Sequence, residues 1–317
     1  MLGFLIRRLA TVVVPTLLGI SILVFGAMHL IPGSFVDVAI GIGPEVSDEQ
    51  REAIAARYGL DAPLPVQYLR WLGNLLQGDL GDSLRSGSPV TGEIASRLPA
   101  TLELALLATV VSLVIAIPAG IVAAVNRDGP WDIVLRMIGL LGLSVPNFLI
   151  ATFLVLLIST RWPVLPTTGF IPLGEDVVGN LKSLTLPAIS LGALLAASAM
   201  RMMRSSVLEE LGKDYLMVAR AKGLSSRVVV MRHAVRNALV PVITVVGIQT
   251  GYLLGGTVIV EQIFSIPGIG RLALSDRGLT GSISHAWDRL TDPEASQPGN
   301  DPSRLREVSG VRARYWD

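Results

Sequence analysis

Five stretches of this chain lack any Lys, Arg, Asp or Glu for long enough to cross a bilayer, or nearly so. They are Leu9–Ile31 (23 residues), Leu104–Val125 (22), Met137–Thr160 (24), Ser183–Met200 (18) and Asn237–Val260 (24). A helix needs about 20 apolar residues to span the hydrocarbon core. Helix is the expected form, because every backbone polar group in lipid must be satisfied within its own segment. The pattern therefore predicts an all-α, polytopic bundle integral to a membrane, with five spans visible. Pro15, Pro118, Pro146, Pro187 and Pro241 lie in or at the ends of these runs and are expected as kinks that neighbouring helices tolerate. The first run follows Arg7 and Arg8. It exceeds the about 7–15 apolar residues of a signal peptide, which favours an uncleaved first span.

The polar segments set the expected orientation. The segment Arg201–Asn237 carries eight basic residues, Arg201, Arg204, Lys213, Arg220, Lys222, Arg227, Arg232 and Arg236, against the acids Glu209, Glu210 and Asp214. Arg127 and Arg136 bracket a short loop, and Arg7 and Arg8 precede the first run. If the spans alternate, all of these fall on one side. Lys and Arg mark the cytoplasmic side, so the N-terminus is expected in the cytoplasm of a multi-pass cell-membrane protein. The long loop Pro32–Leu98, with nine acids against five arginines, is then external. Within it Val46–Tyr58 reads as a short helix, with Ser47 as N-cap and Gln50 three residues on as in a capping box. Leu64–Leu76 reads as a second. From Ser275 to Asp317 the longest charge-free stretch is Gly278–Trp287, about half a span, and the composition reads as disordered.

Composition narrows the function classes. The chain has 317 residues, 51% hydrophobic and 16% charged, where soluble domains carry about 25% charged residues. A net charge of +1 argues against a global field for nucleic acid. With no cysteine and three histidines, disulfides, thiolate metal sites and cysteine nucleophiles are excluded, and a His-built metal centre is not expected. No phosphate-cradling Gly-x-x-x-x-Gly-Lys-Ser/Thr loop is present, so no cofactor is expected on this chain.

Within the basic segment, Met217, Val218, Ala221 and Leu224 recur at helical spacing, with Arg220, Lys222 and Arg227 on or near that edge. Gly223 is placed to end the helix as its C′ residue, and Val228–Asn237 is expected to run into the last span. Spacing alone supports two readings equally: a helix that docks in a groove of a cytoplasmic partner, or a basic helix lying on anionic lipid.

Ala-Arg-Ala-Lys-Gly-Leu224 followed by Arg232-His-Ala-Val-Arg-Asn-Ala-Leu-Val-Pro241 resembles the cytoplasmic loop of binding-protein-dependent ABC importer permeases. The likeness is to the first permease subunit of the dipeptide/oligopeptide/nickel class. Further blocks agree in order: His29-Leu-Ile-Pro-Gly33, Tyr58-Gly-Leu-Asp61, Pro65-Val-Gln-Tyr-Leu69, Gly78-Asp-Leu-Gly-Asp-Ser-Leu84, Ser144-Val-Pro-Asn-Phe148, Gly255 to Phe264 and Pro267-Gly-Ile-Gly-Arg271. The resemblance runs from residue 1 to about 274. It implies a MetI-like, type I permease fold with six spans where five are visible here. The implied division is a first span at 1–31, an extracytoplasmic loop at 32–98, a permease core at 99–274 with its coupling loop at 201–237, and an aberrant polar tail at 275–317.

The same resemblance implies a mechanism without chemistry on this chain. ATP and Mg would bind two cytoplasmic ABC ATPase subunits. A second permease subunit, an extracytoplasmic substrate-binding protein and the lipid bilayer complete the partners, with no nucleic acid. The docking helix would be Asp214, Tyr215, Ala219, Arg220, Ala221, Lys222, Gly223 and Leu224. The family's loop motif is Glu-Ala-Ala, three residues, then Gly; here Met217, Val218 and Ala219 stand in the first three places, so only Ala219 and Gly223 match. For the translocation path the in-span polar residues are Asn147, Gln249 and Glu261, with His29 and Glu103 nearer span ends; Asn147 and Gln249 read equally as interhelical hydrogen bonds. Gly251, Gly255 and Gly256 are expected to let helices pack closely. Departure from the family after Leu274 opens a second reading, a frameshifted or truncated, inactive permease fragment. A secondary transporter would need internal repeats or paired broken helices, and an intramembrane enzyme an ionisable cluster at a span centre; neither is visible.

Overall fold

The computed structural model describes residues 2–30, 61–83, 88–161 and 165–274. The expected helix at Val46–Tyr58 and the polar tail lie outside them. Among the described residues the architecture is helical: α1 (Leu2–Arg8), a π-helical turn (Leu9–Val13), α2 (Val14–Leu30), α3 (Leu64–Leu76), α4 (Val90–Val125), α5 (Pro130–Ser144), α6 (Asn147–Arg161), α7 (Val177–Leu211), α8 (Asp214–Ala221), α9 (Ser226–Val228), a second π-helical turn (Val229–Ala234), α10 (Val235–Gly256), α11 (Val258–Ile263) and α12 (Ile269–Leu274). Among the described residues, four helices are long and apolar enough to cross a membrane: Ile6–Ala27, Val90–Val125, Val177–Leu211 and Ser226–Gly255. The pair α5–α6 makes a fifth crossing if counted as one span.

The chain divides into two compact units, one holding residues 1–94 and the other beginning at Ala95. In the first, α3 packs on the last part of α2. The Tyr68 hydroxyl lies 2.8 Å from that of Ser21, and His29 Nε2 lies 3.3 Å from Gln67 Oε1. Phe25 sits between them, 5.4 Å from the Tyr68 ring and 6.2 Å from that of Trp71. Leu64–Leu76 is helical with the limits expected, since Pro63 and Pro65 pre-set its first turn.

In the second unit α7 is the central helix. Its apolar stretch is 72% buried, and it packs against α10, α5 and α6. It is capped by Asp176, whose Oδ1 accepts the Val178 N–H at 3.0 Å. The shortest apolar run in the sequence thus becomes the most enclosed helix, 35 residues long. Two apolar cores follow its length. Leu184, Leu186 and Leu191 pack with Leu104, Phe264 and Ile266; further along, Met200, Met203 and Val207 pack with Ala116, Val242 and Val246.

Two expectations are corrected. Pro118, Pro187 and Pro241 sit inside continuous helices, but at Pro146 the third run breaks, and α5 and α6 meet at 99°. The residue before a proline is pushed out of helical backbone, and Val145 is extended at φ −91 and ψ 120. The close helix approach assigned to Gly251 and Gly255 is found elsewhere: neither has an atom within 4 Å of where a Cβ would stand. Gly120 and Gly192 take that role. A Cβ on Gly120 would fall 2.6 Å from Met203 Cβ, and one on Gly192 2.8 Å from the Ala108 carbonyl oxygen.

Candidate functional site

The basic segment folds as the sequence indicates. After Leu211 the chain turns at Gly212, and α8 runs from Asp214 to Ala221. Asp214 in the first turn suits the positive helix end. Lys222 is the C-cap, and Gly223 follows at φ +82 in the left-handed region. The Leu224 N–H reaches the Ala219 carbonyl at 3.3 Å and the Gly223 N–H the Arg220 carbonyl at 2.9 Å. That pair of bonds is a Schellman stop, and it needs a residue without Cβ strain at C′.

One side of α8 is held and the other is open. Leu216 is fully buried with Val229 and Ala234 of the π turn; burying such a side chain contributes about 2 kcal/mol. The Tyr215 hydroxyl donates to Glu210 Oε2 at 2.6 Å, and Asn237 Nδ2 donates to the Tyr215 oxygen at 2.9 Å. Lys213 pairs with Glu210 Oε1. Partial burial, together with the bond given to Glu210, holds the Tyr215 phenol above its ordinary pKa, so it remains a donor. The Glu210 carboxylate likewise raises that of Lys213. On the open side Met217 is 68% and Val218 53% exposed, and Arg220, Ala221, Lys222 and Gly223 are exposed beside them. Asp214, Tyr215, Ala219, Arg220, Ala221, Lys222, Gly223 and Leu224 thus stand together on one short helix and its stop.

The in-span polar residues are scattered. Asn147 begins α6 at the 99° break, half-buried. Gln249 lies in α10 with its Oε1 buried and without a hydrogen-bond partner. Glu261 is fully buried. Its Oε1 accepts from Thr101 (3.0 Å) and Thr257 (2.8 Å), and its Oε2 from the Arg271 N–H (2.7 Å). No two of these three share a hydrogen bond. His29 bonds the Phe25 carbonyl, and Glu103 accepts from Asn180 at 2.7 Å.

Two clusters escape a reading by sequence spacing. Asp132 in the first turn of α5 is fully buried and takes a two-pronged grip from Arg204 of α7, Nε to Oδ1 at 2.6 Å and Nη2 to Oδ2 at 2.7 Å. Arg136, one turn on, adds a 3.3 Å contact. The Glu210–Tyr215–Asn237 chain is the second. The only sequence signals were Arg136 at i+4 from Asp132 and the scarcity of acids in the basic segment.

Residues 116–277 match the family of binding-protein-dependent transport system inner membrane components, and residues 1–105 match the N-terminal family of the same membrane components. The chain belongs to this permease family. The permease is 40% identical over 294 residues to the dipeptide transport system permease protein DppB of Escherichia coli (strain K12), covering 86% of each chain. It is 39% identical over 275 residues to the oligopeptide transport system permease protein AppB of Bacillus subtilis (strain 168), again covering 86% of each. A putative peptide transport system permease protein of Brucella suis biovar 1 (strain 1330) is 42% identical over 273 residues, with the same coverage. The permease is thus a multi-pass membrane subunit of an ABC importer.

Proposed function

We propose that this permease carries di- or oligopeptides across the cell membrane and is driven by ABC ATPase subunits that dock on α8. The observation that carries the docking reading is the division of α8 into a held face and an open one. A helix of eight residues is too short to be stable alone. Here Leu216, Tyr215 and the Gly223 stop hold it in place, leaving Met217 and Val218 exposed between cations. A short helix with an apolar ridge flanked by Arg220 and Lys222 suits a groove rimmed by acids. The peptide class rests on the names of the relatives.

In this reading the N-terminus and α8 face the cytoplasm, by the rule that basic loops stay inside. ATP and Mg bind the partner ATPases, which do the hydrolysis. A second permease subunit and an extracytoplasmic binding protein complete the importer. Asn147 and Gln249 are the in-span polar groups we place on the path: Asn147 lies at a broken span, a common feature of substrate pathways, and Gln249 keeps an acceptor oxygen unpaired. Glu261 supports the path from behind, since its oxygens are already engaged.

Met217→Asp puts a carboxylate on the exposed ridge without touching the buried face. Purified through a tag on this chain, the variant is expected to lose its ATPase subunits and, in membrane vesicles, ATP-driven uptake of radiolabelled dialanine. Full retention of the ATPase subunits would remove the docking reading. Absence of dialanine uptake by the parent complex would remove the peptide reading alone.

A further inference from the structure

The Tyr215 hydroxyl ties three helices together. It donates to Glu210 at the end of α7 (2.6 Å) and accepts from Asn237 near the start of α10 (2.9 Å). Lys213 pairs with the other oxygen of Glu210 and holds the carboxylate toward the phenol. Glu210 is 9% exposed, so the chain of bonds is sheltered at one end, where successive hydrogen bonds reinforce one another. We propose that Glu210, Tyr215 and Asn237 form a strut that makes the docking helix move as one body with α7 and α10. The proposal rests on the docking reading of α8.

The geometry explains why a strut is needed. Eight residues of helix span about 12 Å, and Leu216 is the one fully buried side chain on α8. Ala219, one turn on, is partly buried against the same cluster, and a helix held along so narrow an apolar edge can roll about it when its outer face is pushed. The phenol sits one residue before Leu216 and supplies a polar attachment off that edge. The two helices it reaches are packed against each other, and α7 runs through both apolar cores. A load on Met217 and Val218 therefore passes through the phenol into the centre of the bundle. The strut also bridges the π turn Val229–Ala234, the wider part of the helix between α9 and α10. Tyr215, Glu210 and Asn237 are positioning residues here: Met217 and Val218 meet the partner, and the strut orients them.

The chain carries no cysteine, so two introduced cysteines are the sole labelling sites on it, and the partner subunits are supplied as cysteine-free variants. Arg201→Cys on α7 and Ser225→Cys just beyond the α8 stop are both exposed positions outside the proposed docking residues. Nitroxides at these two sites, in the complex purified through this chain, report the distance between α7 and the far end of α8 by pulsed electron resonance. The expected parent distribution is narrow, with the same peak with and without ATP. Tyr215→Phe removes only the hydroxyl, and Asn237→Ala changes an exposed side chain. Each is expected at least to double the width while the ATPase subunits stay bound. A parent peak that moves with ATP, or a width unchanged in either variant, would overturn the strut. Loss of the ATPase subunits from Tyr215→Phe would overturn it too, by making the phenol itself the docking contact. Docking is judged separately, by the Met217→Asp purification.

Discussion

The carboxylate of Glu261 occupies the space that a side chain at Gly268 would need: a Cβ built there stands 2.2 Å from the carboxylate carbon. The hairpin Phe264–Gly270 folds over a buried acid and closes on it. Any residue but glycine at 268 must displace the carboxylate or the backbone. Gly268→Ala is expected to lose the bonds from Thr101, Thr257 and Arg271 together, at about 3 kcal/mol or more when overpacking and unpaired donors are combined. Thermal unfolding of the purified chain in detergent checks this, with a markedly lowered midpoint expected.

Thr101 tests the same closure from the other side. Its hydroxyl donates to Glu261 and accepts the Ile269 N–H at 2.9 Å. Thr101→Val keeps the shape and removes both bonds, leaving a part-buried N–H without its partner, which costs about 1 kcal/mol. The expected signature is local: faster amide exchange at Ile269 and its neighbours, with exchange in α8 unchanged. Equal acceleration in both regions would contradict this assignment.

Arg204 and Asp132 link α5 to α7 through a buried two-pronged pair. Removing Arg204 leaves the buried Asp132 carboxylate with the more exposed Arg136 and the Asp128 N–H alone, at about 3 kcal/mol, the low end for a broken buried pair. Arg204→Ala is therefore expected to be more damaging than Asp132→Asn combined with Arg204→Met, which removes both charges. Arg204→Lys should fall between, because a point charge cannot reproduce the fork. Yield of folded protein in the membrane, ranked across the four chains, checks the order.

Gly223 and Gly120 separate two reasons for glycine. A Cβ at Gly223 meets nothing within 4 Å, but the backbone there is left-handed. Gly223→Ala should cost about 1–2 kcal/mol in conformation alone, and Gly223→Asn less, since Asn tolerates that region. At Gly120 the backbone is helical and the cost is contact with Met203. Gly120→Ala and Gly120→Asn should then both be severe, with Asn the worse. Melting midpoints of the four variants distinguish the two patterns.

Residues that act locally were legible in the sequence. Charge-free runs gave the spans because hydrocarbon excludes charge wherever it lies. Leu64–Leu76 and the stop at Gly223 were readable because proline at a helix start and glycine at its end act within a few residues. Pro146 was not distinguishable from Pro118 or Pro187: a proline interrupts one backbone bond in any helix, and whether the helix continues depends on what packs around it. Gly251 and Gly255 illustrate the converse. Small size permits close approach but does not say which face meets a neighbour, and in this chain Gly120 and Gly192 meet one. Asp132 with Arg204, Glu261 with Thr101 and Tyr215 with Asn237 were invisible for one reason. Each pairing joins different helices, and sequence spacing carries no information on which helices are adjacent.

The π turn at Val229–Ala234 gives the chain a form of slack. Such a turn fits one residue more into its loop than an ordinary helical turn does. If that surplus passed one position along the helix, the residue it crossed would swing by about 100° and shift by about 1.5 Å, with the hydrogen-bonded rod still intact. That room for adjustment lies in the stretch that the Tyr215 bonds to Glu210 and Asn237 bridge, so the strut would act on it as a clamp acts on a vernier, fixing one setting of a joint that could otherwise take several.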